Sequence, residues 1–129
     1  MTTIQFRPVN QDDGTFLLQL YTDSRCEEMK HFPGTAAEKR DFLSMQFQLQ
    51  DRHYHRYYPH AIFDIILVDA EQAGRLYLHR SDHDLRIIDI SLLAQFQQQG
   101  IGTRIMKGLL LQADKQKITV HLHVEKMNP

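Results

Sequence analysis

The chain has 129 residues, 42% hydrophobic and 24% charged, and its 15 Lys plus Arg against 16 Asp plus Glu give a formal charge of -1. This length favours one domain, spanning 1–129, around one core. The near-balanced charge leaves no electrostatic footprint for general nucleic-acid or anionic-membrane binding, and a single cysteine excludes an internal disulfide framework.

Met1 to Arg7 lacks the basic and long apolar regions of a secretory signal. The longest apolar runs, such as Ile65 to Val68, are too short to cross a bilayer. A soluble, cytoplasmic protein is expected. Ile4-Gln5-Phe6-Arg7 alternates apolar and polar residues and predicts a first strand. Phe16, Leu17, Leu20 and Tyr21 have helical spacing, and Ser24 is expected to cap a short continuation reaching Met29. Within it, Cys26 stands beside Glu27 and Glu28, which disfavour a thiolate, so it is read as an incidental thiol. Phe32-Pro33-Gly34 breaks the helix, and Thr35 with Glu38 forms a capping box that starts the next. That helix is expected to carry Phe42, Met45 and Leu49 on one stripe, with Leu43 and Phe47 beside it, and to end before Pro59.

Ile62 to Val68, Gly74 to Arg80 and Leu85 to Leu93 predict three strands in an antiparallel meander, with turn chemistry at Ser81 to Asp84. Gly100 and Gly102 then open a helix with Ile101, Ile105, Leu109, Met106, Leu110 and Ala113 in one broad stripe. Ile118 to Val124 alternates cleanly as a final strand. Strand, helices, three strands, helix and strand make a mixed α/β domain.

A strand that runs into a glycine turn and then a helix can hold a phosphate. Amides at a helix start have no intrahelical acceptor, the helix dipole adds partial positive charge, and glycine lets the backbone approach an anion. In Gln97-Gln98-Gln99-Gly100-Ile101-Gly102-Thr103 the amides from Gln99 to Thr103 could surround a diphosphate. A tight strand-to-helix turn is the plainer alternative. The Walker pattern fails because Thr103 and Arg104 follow Gly102. The dinucleotide fingerprint fails for want of a third glycine and a parallel βαβ unit.

Gln97-Gln98-Gln99-Gly100-Ile101-Gly102, entered from Ile88-Asp89-Ile90-Ser91-Leu92-Leu93, resembles the Gln/Arg-x-x-Gly-x-Gly/Ala signature of the GNAT superfamily of acyl-CoA-dependent N-acyltransferases. Thr103 to Met106 and the strand ending Val124-Glu125-Lys126-Met127-Asn128 are similar too. The resemblance implies a largely antiparallel sheet with helices on both faces and with fourth and fifth strands that splay. It implies acetyl-CoA, or another acyl-CoA, as the group bound. Leu92 and Leu93 would hydrogen-bond the pantetheine arm through their backbone, and Gln97 would take the Gln/Arg position. Gln98, Gln99, Gly100, Ile101, Gly102 and Thr103 would hold the pyrophosphate, and Asn128 would lie near the thiol end.

The implied reaction is direct attack of an amine, on a small molecule or a protein, on the thioester. Asp89 is the candidate base, with an arginine-paired or solvent-facing charge as the alternative. Leu93 is the candidate backbone donor to the carbonyl. The pairs His53/His55 and His121/His123 lack a Cys or carboxylate cluster at ligand spacing, so no metal is expected. The aromatic stretch from His53 to His60 is a candidate lining for an acceptor pocket, with plain packing as the alternative. The family pattern continues past its Asn into a helix with a proton-donating Tyr. The chain stops at Pro129, so a C-terminally truncated form is expected, without a general acid and with a last strand that a homodimer would cover. A non-catalytic acyl-CoA-binding module is the alternative function.

Overall fold

A computed structural model of the chain describes residues 2–122. The chain falls into two compact units, Met1–Val9 with His60–Pro129, and Asn10–Pro59.

The first unit is built on a five-stranded sheet of β1 (Ile4–Pro8), β2 (Ile62–Val68), β3 (Glu71–Arg80), β4 (Asp84–Leu92) and β5 (Thr119–Leu122), in that spatial order. All neighbours are antiparallel except β4 and β5, which run parallel with Asp84 opposite Thr119 and Ile87 opposite Leu122. Strand β3 starts three residues before the expected Gly74, because Asp69 and Ala70, at φ 49° and 70°, close a two-residue hairpin. Two positive φ values match the right-handed twist of the flanking strands. Asp69 also accepts from the Thr3 N–H at 2.8 Å and donates its own N–H to the Thr3 carbonyl, tying β1 to the hairpin. At the next turn the Ser81 hydroxyl donates to Asp84 Oδ1 at 2.6 Å.

A register irregularity sets the faces of β4. Between β3 and β4, Leu78 pairs with Ile87 but Tyr77 pairs with Asp89, so Ile88 is an extra residue on β4. Side chains alternate along a strand, and one inserted residue reverses the parity beyond it. Leu85 and Ile87 before the bulge and Ile90 and Leu92 after it therefore join one core with Leu76 and Leu78. Arg86, Asp89 and Ser91 take the other face, opposite His79, Tyr77 and Arg75 of β3.

Helix α3 (Ile101–Gln116) lies on the apolar face and buries Ile101, Ile105, Leu109 and Ala113, a narrow i, i+4 stripe. Met106 is partly buried, but Leu110 is 51% exposed, so the stripe is narrower than its apolar content suggested. Lys117, at φ 56°, ends the helix by donating its N–H to Ala113 and Asp114.

The second unit holds α1 (Gly14–Ser24), a 3₁₀ turn at Glu28–His31, and α2 (Ala36–Tyr57). Ser24 closes α1 instead of starting a continuation: its hydroxyl donates to the Tyr21 carbonyl at 2.6 Å. A back-bonded serine in the last turn satisfies a carbonyl left over at the helix end. The Thr35–Glu38 capping box forms with both bonds at 3.1 Å. On α2 the buried residues are Leu43 and Tyr54, with Phe42 and Phe47 partly buried against Tyr21, Met29 and Leu43, while Met45 and Leu49 are exposed. Apolar spacing found Phe42, Leu43 and Phe47 but not the exposure of Met45 and Leu49, because the helix carries large apolar residues on more of its surface than it buries.

Two outcomes follow. A Cβ on Gly74 would sit 1.9 Å from the Ser91 carbonyl oxygen and 3.0 Å from the Leu92 Cα. Gly74→Ala is expected to cost about 3 kcal/mol through overpacking against backbone, read as a lowered urea midpoint at unchanged m. Glu38 is held below the usual carboxylate range by hydrogen bonds from Thr35. A depressed folded pKa gives stability that is present above the unfolded value and lost as pH falls through the folded one. The stability gap between wild type and Glu38→Gln should be open at neutral pH and narrow as pH falls through and below the ordinary carboxylate range; denaturation across that range measures it.

Candidate cofactor and acyl-transfer site

Beyond β4 the chain makes a 3₁₀ turn at Ala94–Phe96 and then the segment Gln97 to Gly100. Gln98 at φ 60° and Gly100 at φ 79° both adopt the left-handed region, which turns the chain sharply into α3. Glycine holds that conformation without Cβ strain. The first helical bond is Arg104 N–H to the Gly100 carbonyl at 3.0 Å. The N–H groups of Ile101, Gly102 and Thr103 have no acceptor among the described residues. A Cβ built on Gly102 meets nothing within 4 Å. These amides and the positive end of the helix dipole front open space, a fit for a diphosphate.

The glutamines of the motif act on the loop itself. Gln97 Nε2 donates to the Leu92 carbonyl at 2.8 Å, and Gln99 Nε2 donates to the Gln95 carbonyl at 2.7 Å. Their side chains brace the turn, so what the segment offers outward is backbone. Arg104 is turned away as well, with its guanidinium on the Thr2 carbonyl at 3.0 Å.

At the end of β4, Leu93 departs from its expected role. Its N–H donates to the Ala73 carbonyl at 2.8 Å, so it is not available to polarise an acyl carbonyl. Alternation then turns the Leu92 N–H and carbonyl to the other edge of β4, the β5 side. Leu92, and Ile90 by the same parity, are the backbone donors that sequence reasoning did not separate from Leu93. Asn128, and the stretch where β4 and β5 would splay, lie outside the described residues.

Asp89 is 13% exposed and forms an ion pair with Nε of Arg75, itself 5% exposed. Its Oδ2 also accepts from the Ser91 hydroxyl at 3.0 Å. Arg75 lies 4.7 Å from the centroid of the Tyr77 ring, which meets Phe63 edge-on at 4.8 Å. Arg75 and Ser91 were missed as members of this site. The available signal was parity: Arg75 interrupts an apolar strand on the face that also bears Asp89. On the other face Asp64, half-buried, is pushed up by burial.

His121 approaches Asp84 at 3.5 Å, and His55 approaches Asp51 at 3.5 Å along α2. His53 stacks on Tyr57 at 4.4 Å. Among the described residues no group of three or more His, Cys, Asp or Glu gathers to hold a metal, and His123 lies outside them. No helix among them is long and apolar enough to cross a membrane.

The family model for the acetyltransferase (GNAT) domain matches residues 3–129. The chain belongs to the GNAT acetyltransferases. Among solved structures it is similar to the PaiA N-acetyltransferase of Thermoplasma acidophilum, determined in complex with coenzyme A, at 14% identity and TM-score 0.61. That match covers 98% of this chain and 82% of the other. A possible acetyltransferase from Clostridium difficile 630 gives 16% identity and TM-score 0.60, covering 97% and 82%. The ribosomal-protein-alanine N-acetyltransferase of Brucella melitensis biovar Abortus 2308 gives 14% identity and TM-score 0.53, covering 98% and 82%. At such identities the likeness is one of fold, and it bears out the mixed α/β GNAT architecture expected from the motif. None of the curated proteins compared with this GNAT chain matches it.

Proposed function

We propose that the chain is an N-acetyltransferase that takes an acetyl group from acetyl-CoA to a primary amine of a small molecule or protein. The observation that carries this reading is the outward set of Ile101, Gly102 and Thr103 amides over open space, within the family motif Gln97 to Gly102. The family model runs across both compact units, which favours one acetyltransferase domain over 1–129.

When bound, acyl-CoA would supply a thioester carbonyl to the amine and a thiolate as leaving group. The backbone from Gln98 to Thr103 would hold its diphosphate, and Gln97 would fix the loop through the Leu92 carbonyl. The Leu92 N–H, turned to the β5 side, is the donor best placed to bind the pantetheine arm or polarise the carbonyl. Asp89 is read here as the residue that orients the amine. Arg75 and Ser91 engage Oδ2, while Oδ1 has no partner among the described residues. An Oδ2 already engaged by Arg75 and Ser91 leaves Oδ1 to accept a hydrogen bond from the amine or a water.

Gly102→Val would fill the space over the helix start without touching the protein's own atoms. It should lower CoA affinity by about 100-fold or more, since steric loss adds to loss of several charge-assisted bonds. Calorimetric titration with CoA measures this, and unchanged affinity in a folded variant would remove the central claim. Asp89→Asn should leave CoA affinity unchanged and cut kcat/KM for amines about tenfold, the scale of one hydrogen bond. The acid limb of its pH profile should persist. A fall of 10³-fold or more with loss of that limb would make Asp89 the general base instead.

A further inference from the structure

The face of the sheet that bears Asp89 carries a second set of polar groups nearer the start of β4. His79 of β3 pairs with Arg86 of β4, and Arg86 pairs with His121 of β5. Directly opposed residues share a face, so the three form one row across three strands. The next rows toward the cofactor loop are Tyr77 with Asp89 and Arg75 with Ser91.

The two arginines of this face are treated differently. Arg75 is compensated by Asp89. Arg86 is partly buried, yet among the described residues it has no hydrogen-bond or ion-pair partner. The Asp84 carboxylate, on which the charge of Arg86 acts, is already engaged: its Oδ1 accepts from Ser81 at 2.6 Å, and its Oδ2 lies 3.5 Å from His121 Nε2. The charges of His121, Arg86 and His79 all act on Asp84, which places the four groups in one electrostatic neighbourhood. Asp84 is near enough to feel the charge of Arg86 but makes no ion pair with it, so the guanidinium donors remain open to a ligand anion. Arginine offers a carboxylate or phosphate two parallel donors, and the imidazoles of the same row add positive charge when protonated.

We infer that the acceptor amine carries a second, anionic group, a carboxylate or phosphate, which Arg86 binds with His79 and His121 beside it. This rests on the acetyltransferase reading above, because Asp89 on the same face defines where the amine lies. Arg86 and Asp89 are three residues apart on β4 with one bulge between, so the two polar ends of the acceptor stand about 7 to 10 Å apart. Such a row discriminates by charge: a neutral chain of equal length offers the Arg86 guanidinium no acceptor.

The test uses 6-aminohexanoate, 6-aminohexyl phosphate and hexylamine as probes of equal chain length. Binding to the full chain is measured by calorimetry and by the ring-proton shifts of the histidines, with no CoA present. One or both anionic amines should bind at least about tenfold more tightly than hexylamine, and the tighter one identifies the anion. Arg86→Ala should abolish that preference with CoA affinity unchanged. His121→Gln, at a side chain 47% exposed, should reduce it even if Arg86→Ala proves unstable. Equal binding of all three amines, or a preference that survives Arg86→Ala and His121→Gln, would overturn the inference. Because CoA is absent from this measurement, a failure of the cofactor site in Gly102→Val is read separately.

Discussion

Leu93 gives its N–H to Ala73, at the end of the ladder that joins β4 to β3, and that direction of bonding decides what the rest of β4 can bind. A strand's backbone groups alternate between its two edges, so whatever β3 takes is withheld from a ligand. With Leu93 committed to β3, Leu92 faces the β5 side. Gly74 makes the arrangement possible, because only a residue without Cβ lets β3 approach the Ser91 carbonyl so closely. The bulge at Ile88 does the corresponding work for side chains. It lets Leu85, Ile87, Ile90 and Leu92 all reach the core under α3 while Arg86, Asp89 and Ser91 stay together on the other face. Backbone donors and charged side chains are thereby sorted by one strand.

The cofactor loop depends on the same strand end. Gln97 reaches back to the Leu92 carbonyl, Gln99 to that of Gln95, and Gly100 turns the chain so that the first helical bond starts at Arg104. The amides before it are left outward by helix geometry alone, without any basic side chain, since Arg104 is held on Thr2. Affinity for a diphosphate there would come from directed N–H groups and the helix dipole rather than from a local excess of cations. This agrees with a chain whose overall charge is close to neutral.

Much of the fold was legible because it rests on local rules. Alternation located β1, β3 and β5, apolar runs between turn residues located β2 and β4, the Thr35–Glu38 box located the start of α2, and the glycine motif located α3 together with the family. What was not legible depended on pairing partners distant in sequence. Nothing near Leu93 reveals that Ala73 consumes its N–H, and nothing near Asp89 reveals that Arg75, fourteen residues earlier, neutralises it. The bulge at Ile88 is invisible to a period-two reading, because Leu85 to Leu93 is apolar at too many positions to show a change of parity. On α2 the failure was of another kind: Met45 and Leu49 continue the stripe of Phe42, yet they are exposed while Phe42, Leu43 and Phe47 pack, and only packing chose among them.

Arg75 and Arg86 bring these points together. Both project from the same face, one on β3 and one on β4. Arg75 sits one row from Asp89, so its charge is compensated inside the protein and fixes the orientation of a carboxylate that is 13% exposed. Arg86 sits on the other side of the bulge, two rows from Arg75, and the carboxylate beside it among the described residues, Asp84, is tied to the Ser81 turn. A face with one arginine paired and one left open has a direction. It offers a hydrogen-bond acceptor near the backbone donors of Leu92 and a cationic donor set further along the strand. A bifunctional molecule with a basic end and an acidic end could lie along it in only one sense, amine toward the cofactor loop, and reversal would set like charges together at both ends.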